Sequence, residues 1–215
     1  MDSIDIDIDT DFGKTLFEEA TCDDVASLNN MFYPNNEVII MHCNIRSIEA
    51  YFKELEVFLH TLKFKPSIIF LSETWFIPHL GFFELDGYDL IYNASTITKA
   101  DGTIAYVSKK MDCDTNIKDL GSLKIIEIAT KSELLTAIYK NHKIKNNVFV
   151  DDLENYIRNN NHKNHYIFGD INIDILEKNS IKNIFNSNID DYINNYYQNG
   201  YLSVINNVTR PNYNF

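Results

Sequence analysis

His165-Tyr-Ile-Phe-Gly-Asp-Ile-Asn172 runs from a short apolar strand straight into Gly169, Asp170 and Asn172. A glycine at the end of such a run lets the backbone turn or come close to a ligand. Asp170 and Asn172 are two apart, so they point the same way where the extended conformation persists. Two earlier stretches repeat the pattern. Val38-Ile39-Ile40-Met41-His42-Cys43 ends in Asn44, and Ile68-Ile69-Phe70-Leu71-Ser72 ends in Glu73. Apolar strands that finish in a carboxylate or carboxamide offer hard oxygen donors of the kind Mg2+ prefers. They do so at the strand ends, where α/β folds place their sites.

The chain has 215 residues, 45% of them hydrophobic and 23% charged, which suits one globular domain with a sizeable core. Its net charge of -12 is uneven, since nine acids against Lys14 stand within residues 1 to 24. An acidic whole argues against tight nucleic-acid binding driven by counterion release alone, though it leaves room for a locally basic groove. Cys22, Cys43 and Cys113 are odd in number and lack metal-type spacing, which points to free thiols in a reducing compartment. Nowhere do eighteen apolar residues run together, so no membrane partner is expected. The expectation is an intracellular protein, nuclear or cytoplasmic.

Residues 1 to 35 show no sustained period and are read as an acidic, flexible amino-terminal segment, and residues 36 to 215 as the folded domain. Ser47 is placed to cap a helix whose apolar positions Ile48, Phe52, Leu55, Phe58, Leu59 and Leu62 recur at three and four residues, and Pro66 ends that segment. With Ser67 to Ser72 this predicts a strand, helix, strand unit that brings Asn44 and Glu73 out on one side if the strands are parallel. The aromatic, Pro- and Gly-containing stretch from Trp75 to Asn93 reads as a packed loop. Further strands are predicted at Gly102 to Val107 and, as a hairpin, at Leu123 to Ile128 and Glu133 to Tyr139. A helix carrying Phe149, Leu153 and Ile157 precedes the Gly169-Asp170 strand, and a helix near Ile189 to Tyr196 and a strand from Tyr201 to Ile205 follow it.

Six short motifs occur in a telling order. They are His42-Cys43-Asn44-Ile45-Arg46-Ser47, Leu71-Ser72-Glu73-Thr74-Trp75, Gly102-Thr103-Ile104-Ala105-Tyr106-Val107, Ala137-Ile138-Tyr139-Lys140, Gly169-Asp170-Ile171-Asn172 and Val208-Thr209-Arg210. In that order the chain resembles the endonuclease/exonuclease/phosphatase superfamily, and more narrowly the apurinic-type endonuclease domain of LINE-type non-LTR retrotransposons. The resemblance implies an α/β (α+β) fold, a two-sheet β-sandwich with helices on the outer faces. It also implies Mg2+- or Mn2+-dependent phosphodiester hydrolysis, with DNA as the ancestral substrate. Carried over by motif, Glu73 is the main metal ligand and Asn44 helps hold the metal or its waters. Asp170 orients or deprotonates the attacking water, Asn172 hydrogen-bonds the phosphate, and Tyr139 contacts a phosphate oxygen. A metal and donors of this kind stabilise charge building on phosphorus while a carboxylate aligns the nucleophile.

The family continues past its Thr-Arg region with a further aspartate and a closing Ser-Asp-His strand. This sequence reaches Phe215 without either. The expectation is therefore a domain incomplete at the carboxy-terminal strand, with weak or absent nicking. A catalytically dead remnant or domesticated binding module is the alternative, and a lipid or inositol phosphatase of the same fold a more distant one. His142, His162 and His165 lie in or beside polar connections, and their spacing marks none as a substitute for the family's histidine.

Overall fold

A computed structural model of the chain describes residues 24–31, 38–94, 97–160, 164–173 and Tyr201. The chain divides into two compact units, Asp24–Asn172 and a second made of Met1–Asp23 with Ile173–Phe215, of which only Ile173 and Tyr201 are described. The expected late helix near Ile189 and the body of the strand beginning at Tyr201 lie outside the described residues.

Along the larger unit the elements are α1 (Val25–Met31), β1 (Ile40–Asn44), α2 (Ile48–Thr61), β2 (Ile68–Ser72), a 3-10 turn (Leu80–Phe83) and β3 (Tyr88–Asn93). There follow β4 (Thr103–Ser108), β5 (Asp114–Asp119), β6 (Lys124–Ala129), β7 (Glu133–Tyr139), α3 (Asn146–Arg158) and β8 (Asn164–Asp170). They form two four-stranded mixed sheets, ordered β1-β2-β4-β3 and β5-β6-β7-β8. β1 and β2 are parallel, as are β7 and β8, and the remaining pairings are antiparallel. The sequence reading differs at three places. α1 and β5 have no counterpart in it, and Tyr88–Asn93, read as loop, is the outer strand β3, held by a six-residue register against β4.

β2 explains the layering. All five of its residues are buried, because alternate side chains face two different apolar layers. Ile69 and Leu71 join Ile48, Phe52 and Leu55 of α2, while Ile68 and Phe70 meet Ile126, Ile128, Leu135 and Ala137 of the second sheet. Each such side chain, once fully buried, contributes about 2 kcal/mol. α2 begins as its sequence predicts, with the Ser47 hydroxyl accepting the Ala50 N–H at 3.3 Å. On the far side of the second sheet, α3 buries Phe149, Val150, Leu153, Tyr156 and Ile157. The result is a two-sheet sandwich with a helix on each outer face.

A polar cluster ties α3 to its sheet. Glu127 of β6, 7% exposed, accepts from Lys118 Nζ at 2.6 Å, Tyr156 Oη–H at 2.8 Å and Asn116 Nδ2 at 3.0 Å. Thr136 Oγ1 lies 3.0 Å from the Tyr156 hydroxyl and 2.8 Å from His165 Nε2. Burial pushes the Glu127 carboxyl up, and the three bonds outweigh it, leaving the group below its ordinary range.

Candidate active site

Strand alternation decides which polar groups meet. In β8, Phe168 faces the first sheet, its ring 5.8 Å from that of Phe70, and Asp170, two residues on, keeps that side. In β1, His42 stacks on Phe70 at 5.4 Å, and Asn44 shares its face. At the carboxyl ends of the two parallel pairs these residues come together. Asn44 Nδ2 donates to Asp170 Oδ2 at 2.9 Å, joining positions 126 residues apart in the chain.

Asp170 is set by its neighbours. Asn172 donates its backbone N–H to Asp170 Oδ1 at 3.2 Å and its side-chain N–H to the Lys140 carbonyl at 2.8 Å. Lys140 N–H donates in turn to the Asp170 carbonyl at 3.0 Å. Gly169 makes this possible. It sits at φ 143°, and a Cβ there would collide with the Ile138 carbonyl of β7. The sequence allows a turn or a close approach to a ligand at this glycine, and the close approach found is to the backbone of β7.

Glu73 follows Ser72, the register partner of Asn44, so both leave adjacent parallel strands at the same end. Its backbone is left-handed, φ 55°, and its carbonyl accepts the Ser47 N–H at 2.9 Å. Arg46, Ser47, Trp75 and Asn172 also have positive φ, so all five non-glycine residues of this kind among those described flank these strand ends. Such backbone costs about 1 to 3 kcal/mol per residue and clusters at functional sites. Tyr139 is the register partner of Asp170 and is 2% exposed, the most enclosed of the five expected site residues, the other four being half-buried.

Among the described residues, three buried side-chain oxygens at these strand ends lack a hydrogen-bond partner, Asn44 Oδ1, Thr74 Oγ1 and Thr103 Oγ1. An orphaned carboxamide oxygen costs about 1 to 3 kcal/mol unless something coordinates it. The Asn44 oxygen and the Glu73 carboxylate are hard oxygen donors of the chemical kind that suits Mg2+, an ion bound through one or two carboxylates and several waters. Among the described residues, no three carboxylates, imidazoles or thiols gather as a metal cluster.

Two neighbours were not singled out by sequence. Ser72 Oγ lies 3.2 Å from His42 Nε2 on the interlayer face. Lys140, 2% exposed, has its ammonium 5.9 Å from the Phe149 ring centroid. Burial pushes its pKa down, and Asp170 opposes that. Signals existed in the repeat of polar residues at strand ends and in the Tyr139-Lys140 motif. Of the histidines, His165 is engaged with Thr136 beneath α3, on the face opposite Asp170, and His142 is exposed beyond β7, while His162 lies outside the described residues.

The backbone can be set beside known structures. The endonuclease domain of TRAS1, a telomere-specific non-LTR retrotransposon, superposes with a TM-score of 0.52 at 12% identity, over 77% of this chain and 74% of that one. This chain has the endonuclease/exonuclease/phosphatase fold. The 3'-5' exonuclease (NExo) of Neisseria meningitidis (TM-score 0.44, 16% identity, 62% of this chain and 57% of that one) and truncated Caenorhabditis elegans TDP2 (0.45, 17%, 64% and 65%) also match. The match thus spans less than two thirds of the exonuclease. No protein-family model and no curated protein sequence matches. No helix of the described residues is long and apolar enough to cross a membrane.

Proposed function

We propose that the chain is a phosphodiester hydrolase that uses Mg2+ or Mn2+ and acts on DNA, in the manner of a retrotransposon endonuclease domain. The observation that supports this is the Asn44 to Asp170 bond, which joins the ends of both parallel pairs, with Asn44 Oδ1 unpartnered among the described residues. In this reading Glu73 and Asn44 hold the cation. When bound, it supplies positive charge against the phosphate oxygens as charge builds there. Asp170, held on both carboxylate oxygens by Asn44 and Asn172, orients or deprotonates the attacking water. Asn172 uses one amide hydrogen on the Lys140 carbonyl and has a second for a phosphate oxygen. Tyr139 contacts a phosphate oxygen from beside Asp170.

Tyr139, a predicted phosphate contact, is 2% exposed, which keeps a second reading in view, a module that binds DNA without cutting it. Supercoiled-plasmid nicking separates the two. The expected result is slow, Mg2+-dependent nicking that falls about a hundredfold in Glu73→Gln and in Asp170→Ala, the scale for loss of one preorganised group. Plasmid bound but never nicked would select the binding module.

A further inference from the structure

Just past Glu73 the chain exposes apolar rings. Trp75 is 43% exposed, Phe76 66% and Phe82 75%, and Ile97 of the neighbouring loop is 39% exposed. Burial of these groups would be favourable at about 25 cal/mol per Å2, and so many exposed apolar side chains on two hydrogen-bonded segments are the kind of surface that binds a partner. Its backbone is pinned. Trp75 N–H donates to the Asp101 carbonyl at 2.8 Å and Phe76 N–H to the Lys99 carbonyl at 3.1 Å. Asp101, fully buried, accepts the Ile97 and Thr98 N–H groups at 3.0 Å each and a bond from Asn141 Nδ2. Ile77 and Phe83 anchor the segment against the α2 layer, the Phe83 ring meeting Phe52 edge-on at 5.4 Å.

Charge narrows the occupant. In a chain of net charge -12, Thr74 to Phe83 and Ile97 to Ala100 contain no acid, and Lys99 is exposed among them. Resting on the nucleic-acid reading above, we infer that Trp75, Phe76 and Phe82 form a stacking platform for unpaired bases beside the cut phosphodiester. Duplex bases already stack on one another and offer no free faces, so the surface takes single-stranded or opened nucleic acid. Base stacking on aromatic rings contributes about 1 to 3 kcal/mol per base and is sequence-tolerant. It gives an acidic chain a hold on its substrate that counterion release cannot supply.

Trp75 is the chain's single tryptophan, so its emission reports the surface directly. The test titrates the full chain, with Ca2+ replacing Mg2+, with a short single-stranded oligothymidylate and separately with a duplex of equal length. The single strand should quench Trp75 and bind at least about tenfold more tightly than the duplex. Phe76→Ala and Phe82→Ala, exposed positions that leave the fold intact, should each weaken it about five- to hundredfold. Equal affinity for duplex, unchanged affinity in both variants, or quenching by phosphatidylcholine vesicles in place of the oligonucleotide would overturn the platform. Plasmid nicking that depends on Glu73, found without any quenching, would remove the platform and leave the cleavage reading standing. Quenching with single-strand preference but no nicking would do the reverse.

Discussion

Gly169→Ala is expected to destabilise the chain by about 3 to 5 kcal/mol, the combined scale of left-handed strain and a backbone collision. The residue stands in register with Ile138, and no flexible side chain is available to give way, because the obstructing atom is the Ile138 carbonyl itself. Either the β7–β8 pairing opens or β8 shifts, and a shift carries Asp170 away from Asn44. Gly81→Ala is the control, since nothing lies within 4 Å of a Cβ there and its φ is not positive. Urea unfolding of the two variants should show a large loss for Gly169 and almost none for Gly81. Similar midpoints for both would mean that β7 and β8 do not approach as closely as described.

Glu127→Ala should cost about 3 kcal/mol, because it leaves Lys118, Tyr156 and Asn116 pointing at a void where a charged acceptor was. Glu127→Gln, which keeps an acceptor oxygen, should recover part of that. The loss should also depend on pH. The folded carboxyl lies below its ordinary value of 4.5, so its stabilisation is present above that value and disappears as pH falls through the lower, folded one. Wild type and Glu127→Ala should therefore differ most near neutrality and converge in acid. A difference that stayed constant down to strongly acid pH would show that packing, not the carboxylate, is responsible.

The legible parts of the fold were those whose pattern is written locally. β2 is a continuous apolar run because both its faces are buried, and Ser47 caps α2 as its position before Ile48 predicts. β3 and β5 carry weaker signals. Tyr88–Asn93 is an outer strand next to glycine, and Asp114–Asp119 contains one apolar residue, Ile117, itself 45% exposed. β3 does alternate, with Tyr88, Leu90 and Tyr92 packing on the α2 side and Ile91 on the other, but its aromatic and glycine surroundings hide the pattern. The extended form of β5, by contrast, is imposed by β6. At the site, strand ends pointed to Asn44, Glu73, Asp170 and Asn172. The contact that joins Asn44 to Asp170 spans two sheets and could not be read from spacing. Alternation along β8 likewise sends His165 to α3 and Asp170 to the interlayer, although only five positions separate them.

The most direct test of the central claim, that these strand ends hold a divalent cation beside Asp170, is isothermal titration of Mn2+ into the wild-type chain and Glu73→Gln. One Mn2+ per wild-type chain, with affinity lowered at least about tenfold in the variant, is the predicted result. Equal affinity in the two proteins would contradict it and remove Glu73 from the site.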